Sequence, residues 1–134
     1  IKFKSNYSLV GHSDGDVVIH SLIDAFLGAL AKKDIGTYFP STNKALKNID
    51  STILLNFINK KFNLSKLLIL NIDITIISEV IRLEKYKHKI RRNISNLLNC
   101  PISKINIKAK SSDKIGIIGK SKGIACFTTL LIYK

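Results

Sequence analysis

Cysteine is scarce in this chain: Cys100 and Cys126 are the only two in 134 residues, and neither belongs to a CxxC pair. A disulfide scaffold is therefore not expected, and reduced thiols in an intracellular protein are the simplest reading. No apolar run reaches the ~18–20 residues of a membrane span, so no membrane partner is expected. No linker, repeat or low-complexity segment breaks the sequence. Acidic residues are few, 9 against 22 Lys and Arg, which leaves a formal charge of +13. Arginine is nearly absent too: Arg82, Arg91 and Arg92 are the only three. Aromatics make up 7%. A nucleic-acid surface usually concentrates its basic residues on one face and interleaves stacking rings. Here the lysines scatter among Ile and Asn, as an A/T-biased genome would produce, so nucleic acid is not an expected partner, while binding to anionic small molecules and weak non-specific binding to nucleic acid stay open. The abundant feature is apolar content, 46%, enough for a core in a single domain of this length. The chain starts at Ile1 without a signal-peptide pattern, as a piece of a longer chain or a processed form would.

Hydrophobic periodicity and turn residues predict an alternating order of elements. Residues 1–4 and 7–10 read as short strands around Ser5-Asn6, and Gly11 to Gly15 as a polar turn. A helix is predicted from Asp14 to Lys32, with Ser13 and Asp16 as a capping-box-like start. Residues 33–49 read as loop, and Asp50 or Ser51 caps a second helix to Leu64. Leu67 to Ser78 reads as a buried strand, 84–98 as a basic helix with a solvated face around Arg91 and Arg92, and Ile105 to Lys110 as a half-buried strand. A polar loop from Ser111 to Gly123 precedes a last strand, Ile124 to Tyr133. Strands alternating with helices imply an α/β fold of the α+β type, a mixed four-stranded sheet covered by helices.

The first helix carries a candidate site. Its body, Val17 to Ala31, is almost entirely apolar, yet Asp16, His20 and Asp24 recur at i, i+4, i+8 and share one stripe. Unpaired charges are costly to bury, so partners are expected. A neutral imidazole suits a metal, and a carboxylate one turn away would orient His20. The bland alternative is a wet helix face. A helix N-terminus offers free N–H groups to anions, so Gly11-His12-Ser13-Asp14-Gly15 also reads as a phosphate- or hydroxyl-binding turn. Asp73 reads as a strand residue with a structural hydrogen bond, Cys126 as core, and Gly116 and Gly119 as turn.

These residues carry a resemblance. His12-Ser13-Asp14-Gly15-Asp16, then His20, Asp24-Ala25 and Leu27-Gly28-Ala29, followed by Asp34-Ile35-Gly36 and Phe39-Pro40, resemble the signature of the 2-C-methyl-D-erythritol 2,4-cyclodiphosphate synthases. Asn71-Ile72-Asp73, Lys108-Ala109, Ser112-Asp113-Lys114, Gly119 and Gly123-Ile124-Ala125-Cys126 continue it in order over essentially the whole chain. The resemblance implies one domain over residues 1–134, N-terminally incomplete, because the family's Asp-x-His pair would lie upstream of Ile1. It implies a homotrimer with sites between subunits, and a lyase of the non-mevalonate isoprenoid pathway acting on a cytidine diphosphate derivative.

By resemblance, His20 is a zinc ligand, and Asp113 stands near magnesium or manganese. His12 and Ser111 are the implied catalytic residues. His12 and Ser13 would hold a phosphate, with Asp34, Ile35, Gly36, Phe39, Pro40, Ser41, Thr42 and Asn43 around the substrate. Ser78, Arg82, Leu83 and Glu84 would meet the cytosine from the adjacent subunit. Lys110, Ser111, Ser112, Asp113, Ile117 and Lys120 would form the phosphate loop and its surroundings. A bacterial cytoplasm is the implied location, with a plastid as the alternative. The sequence departs from the family pattern at Asp113 (usually Glu), Ser111 (usually Thr), Lys110, Ser41 and the loop Ser78-Glu79-Val80-Ile81-Arg82 (usually Ala-Gln-x-Pro-Lys). Lys120 and Lys122 replace an Arg and a Glu near the trimer axis, where an anion is expected. Two alternatives stay open: a non-catalytic relative that keeps the fold, and a basic binding module.

Overall fold

The computed structural model describes residue 9 and residues 13–133. The expected hairpin over 1–4 and 7–10 therefore lies outside the described residues except at Leu9, as do Gly11 and His12.

Helix α1 spans Val17–Ala29 and buries Ile19, Leu22, Ile23, Phe26 and Leu27. That spacing keeps one continuous apolar stripe against the core. The helix is shorter than Asp14 to Lys32 for local reasons. Gly15 has φ +73 and Ala31 has φ 54, and neither value belongs to a right-handed helix. Asp16 itself is the cap, with its carboxylate accepting from the Val18 and Ile19 N–H groups, so the expected Ser13 cap is corrected. Helix α2 is one turn, Ile35–Tyr38, in the segment expected as loop. Helix α3, Ser51–Phe62, is capped by Asp50 and ends at Asn63 in the left-handed region.

Strand β1, Leu68–Ile77, buries Ile72, Ile74 and Ile76 on one face. A 3-10 turn at Glu84–Tyr86 leads into helix α4, Lys87–Leu98, so the basic helix starts later than expected. Strand β2 is Ile105–Lys110, the expected bounds. The polar loop that follows contains a one-turn helix α5, Gly116–Gly119, and strand β3 is Ala125–Tyr133. The sheet order is β2-β1-β3, with β2 parallel and β3 antiparallel to β1. Among the described residues the sheet thus has three strands, not four. The central strand pairs only with β2 and β3 there, and the segment expected to supply further strands lies outside.

Helix α1 packs along β3 and α4 along β2, so the helices cover one face of the sheet. The opposite face is open: Phe127 is 62% exposed, Leu131 58% and Tyr133 68%. On that face Asp73 accepts from Asn106 Nδ2 at 2.9 Å and pairs with Lys108, the structural role expected for it. Cys126 is half-buried and packs against the core. Arg91 departs from the expected solvated face. Its Nε donates to the Ile105 carbonyl at 2.7 Å and its Nη2 to that of Ile102 at 2.9 Å, while Arg92 is exposed.

Gly119 does more than turn. A Cβ there would sit 2.1 Å from the Lys114 carbonyl carbon and 2.6 Å from its Cα, both backbone atoms. Asp113 and Lys114 already hold φ 50 and φ 63, so this loop has little room to yield. Gly119→Ala is expected to cost on the order of 1–3 kcal/mol and to move amide signals of residues 111–120 while leaving those of the core strands. A heteronuclear NMR spectrum and a melting curve check this; unchanged loop signals would contradict the close approach.

Candidate active-site cleft

The polar stripe of α1 resolves into two capping carboxylates and one imidazole, with a third capping carboxylate just before it. Asp16 Oδ1 accepts from Val18 N at 3.1 Å and Ile19 N at 3.0 Å, at the start of α1. Asp24 Oδ1 accepts from Ile35 N at 2.8 Å, at the start of α2. Asp14, just before the stripe, takes the Ser51 N–H at 2.9 Å and the Ser51 hydroxyl at 2.5 Å, at the start of α3. The first N–H groups of a helix have no partner inside it, so a nearby carboxylate gains more from them than from a neutral ring. This corrects the expectation that Asp16 or Asp24 orients His20. The His20 Nε2 instead shares a 3.0 Å hydrogen bond with Ser13 Oγ.

The N–H groups at the start of α1, expected to be free for an anion, have partners within the chain. Val18 and Ile19 N–H groups go to Asp16, Val17 N–H goes to the Gly15 carbonyl, and Asp14 N–H goes to that of Ile49.

Burial pushes the Asp14 carboxyl up, but the Ser51 hydroxyl and N–H, the Asp16 N–H and the neighbouring His20 together hold it below its ordinary value. Asp34, the cap of α2, is held low chiefly by the Thr37 N–H at 2.8 Å and then by the Thr37 hydroxyl at 2.9 Å.

Ser13 and His20 open onto a cleft of about 100 Å³. Of the expected residues, Ile35, Gly36, Phe39 and Ser41 share its wall. Leu46, Ile49 and Leu54 complete it and were not foreseen; the first two fell in the expected loop and the third in the expected second helix. Asp34 holds α2 from beneath, and Asn43 caps the 3-10 turn Lys44–Leu46 through the Ala45 N–H at 3.0 Å. Pro40 and Thr42 are exposed beside them. His12 lies outside the described residues.

The remaining candidates form a second group at the ends of β1 and β2, where parallel strands usually place ligands. Ser78 N donates to the Lys110 carbonyl at 3.0 Å, and Ser78 Oγ accepts from Ile81 N at 3.2 Å. Glu79, which was not singled out, accepts from Ser112 N at 3.1 Å and from its hydroxyl at 3.4 Å, tying the two loops together. Ser111 Oγ donates to Asp113 Oδ1 at 3.0 Å. Leu83 is buried, Glu84 pairs with Lys87 at 2.5 Å, and Arg82 and Lys120 are exposed. Ile117 is 73% exposed. None of this second group lines the cleft.

Among the described residues no three His, Cys, Asp or Glu side chains converge to hold a metal ion. An open zinc site usually takes three protein ligands. The described residues fit one of them, His20, and not a full set.

A three-stranded mixed sheet covered on one face by helices, with a small cleft where Ser13 and His20 are hydrogen-bonded, defines a small α/β protein. The chain belongs to the YgbB family, whose model matches residues 1–133. It is 48% identical over 134 residues to the 2-C-methyl-D-erythritol 2,4-cyclodiphosphate synthase of Buchnera aphidicola subsp. Schizaphis graminum, covering 100% of this chain and 80% of that one. Similarity to the enzyme of the same name from Leptospira interrogans serogroup Icterohaemorrhagiae serovar copenhageni is 42%, over 100% of this chain and 83% of that one. The solved structure of Plasmodium falciparum IspF in complex with CDP superposes with a TM-score of 0.79 at 37% identity, covering 92% of this chain and 74% of that one.

The Asp34 cap gives a pH prediction. A carboxylate whose folded pKa is depressed stabilises above its unfolded value, and loses that contribution as pH falls through the folded one. The Thr37 amide signal is therefore expected to hold steady above about pH 5 and to move as pH falls below the ordinary carboxylate range. In Asp34→Asn, which keeps an acceptor oxygen, this step should disappear. A step that survives in Asp34→Asn would assign it to another group.

Proposed function

We infer that the chain is a cyclodiphosphate synthase subunit, a phosphorus–oxygen lyase of the non-mevalonate isoprenoid pathway. Its substrate is 4-diphosphocytidyl-2-C-methyl-D-erythritol 2-phosphate. The 2-phosphate oxygen attacks the β-phosphorus, a P–O bond forms there, the bond to the α-phosphate oxygen breaks, and CMP leaves with that oxygen. No water is consumed and no protein nucleophile is required. What the protein supplies is placement of two anionic groups and compensation of their charge. The observation that carries this reading is the Ser13–His20 pair at the mouth of the cleft, in a chain whose named relatives match along its full length.

In this reading residues 1–134 act as one synthase domain. His12 and Ser13 hold the 2-phosphate end, and the wall from Asp34 to Asn43 surrounds the erythritol. Ser78 and Arg82 to Glu84 receive the cytosine, and Lys110 to Asp113, with Ile117 and Lys120 beside them, receive the diphosphate. Ser111 and His12 stabilise the charge that builds up as the ring closes. His20 is one ligand of a zinc ion, and Asp113 stands near magnesium or manganese; a bound divalent ion supplies neutralising charge to phosphate oxygens.

The working unit is a homotrimer. Two observations support it: the open sheet face with its exposed Phe127, Leu131 and Tyr133, and the absence of the second residue group from the cleft wall. Exposed apolar surface of this kind marks an interaction site. Packing three sheets face to face lets the loops of one subunit complete the cleft of the next. Among the described residues no helix is long and apolar enough to cross a membrane, and the bacterial relatives support a cytoplasmic location.

The test is CMP release alongside sedimentation. Leu131→Asp is expected to give monomers and to abolish turnover, while His20→Ala lowers turnover at least about 10²-fold in an intact trimer. Full turnover by a monomer would overturn the shared site. A folded, assembled native protein that releases no CMP would instead be the non-catalytic relative.

A further inference from the structure

Ser51 is the first residue of α3 and its side chain is 0% exposed. Its hydroxyl is not needed to cap that helix, because Asp50 already accepts from Thr52 N at 2.8 Å. Both polar hydrogens of Ser51 go to Asp14 instead, the hydroxyl at 2.5 Å to Oδ1 and the N–H at 2.9 Å to Oδ2. Asp14 N–H returns a bond to the Ile49 carbonyl at 3.2 Å. The turn before α1 is thus laced at three points to the segment before α3. Asp14 Oδ1 also accepts the Asp16 N–H at 3.1 Å, which fixes the residue whose carbonyl receives the His20 N–H. Ser13, on the other side of Asp14, is the partner of the His20 ring.

We propose that Ser51 is a positioning residue for the Ser13–His20 pair, acting through Asp14; the proposal rests on the reading of this cleft as the phosphate end of the site. Ser51 does not line the cleft and touches no substrate. It holds the carboxylate around which the turn is folded, so the Ser13 hydroxyl that meets the phosphate and the His20 ring that meets the metal keep a fixed separation. A shift of about 1 Å in such a pair costs on the order of 10²-fold in rate without touching the chemistry.

The test compares Ser51→Ala with Asp50→Ala, which weakens the start of α3 but leaves Asp14 alone. In metal-free, ¹⁵N-labelled protein at one fixed pH, the His20 ring nitrogens report which of them carries the proton and whether Nε2 is hydrogen-bonded. Ser51→Ala is expected to change those ring signals and to lower kcat about 10²-fold with KM unchanged. Asp50→Ala should lower the melting temperature and leave the ring signals native. Ser51→Thr, which returns a hydroxyl, should restore the native signals. If Ser51→Ala does not fold, Asp14→Asn, which keeps an acceptor oxygen, reads the same ring. Native ring signals in Ser51→Ala, or an equal change in Asp50→Ala, would reduce Ser51 to helix support. The ring signals need no turnover, so a native protein that releases no CMP counts against the functional reading alone.

Discussion

The starts of three helices govern this half of the molecule. Each helix begins with N–H groups that have no partner within it, and each such group left dry carries a real cost. Here every one of those starts is met by an aspartate: Asp16 at α1, Asp24 at α2 and Asp14 at α3. Of these three only Asp16 caps its own helix, and Asp34 and Asp50 are the N-caps of α2 and α3. Asp24 reaches the next helix, 11 residues on, and Asp14 reaches one 37 residues on, so each bond is both a cap and a tether. The cleft is the space these tethers leave between α1, α2 and the start of α3.

Packing supplies the other half of the constraint. The stripe from Ile19 to Leu27 anchors α1 on the sheet, and Leu54, Leu55 and Ile58 anchor α3. Leu54 is shared between that core and the cleft wall. The wall can therefore move only at the expense of core contacts, and an apolar wall around Ser13 and His20 strengthens their electrostatics compared with open water.

Much of the fold was legible because it follows local periodicity. Ile105 to Lys110 alternates apolar and basic residues, and no other structure satisfies that pattern so simply. The apolar stripe of α1 was equally plain, although its ends depended on the positive φ of Gly15 and Ala31, which composition does not reveal. The site was legible as a place but not as a set of bonds. Asp16, His20 and Asp24 drew attention to the right helix face, yet the partners of two carboxylates lie at Ile35 and Ser51, outside any helical spacing. The Arg91 bonds to two carbonyls and the approach of Gly119 to Lys114 are tertiary facts of the same kind. The second residue group gave a clear motif, but nothing in a single chain brings it to the cleft.

A cleft meant for phosphates would be poorly served by four aspartates in its surroundings if their charges were free. They are not. Asp14, Asp16, Asp24 and Asp34 each accept from at least one backbone N–H at a helix start, where the helix dipole is positive. Their fields are largely spent there, and the chain as a whole carries +13. The same bonds occupy the helix-start amides of Val18, Ile19, Ile35, Thr37 and Ser51. In the reading proposed above, a phosphate meets the Ser13 hydroxyl, whose placement depends on the tether at Asp14, while His20 serves the metal. In that reading the site is sensitive to small shifts of the turn at Asp14, which is why a buried serine beyond the cleft is proposed to matter to it.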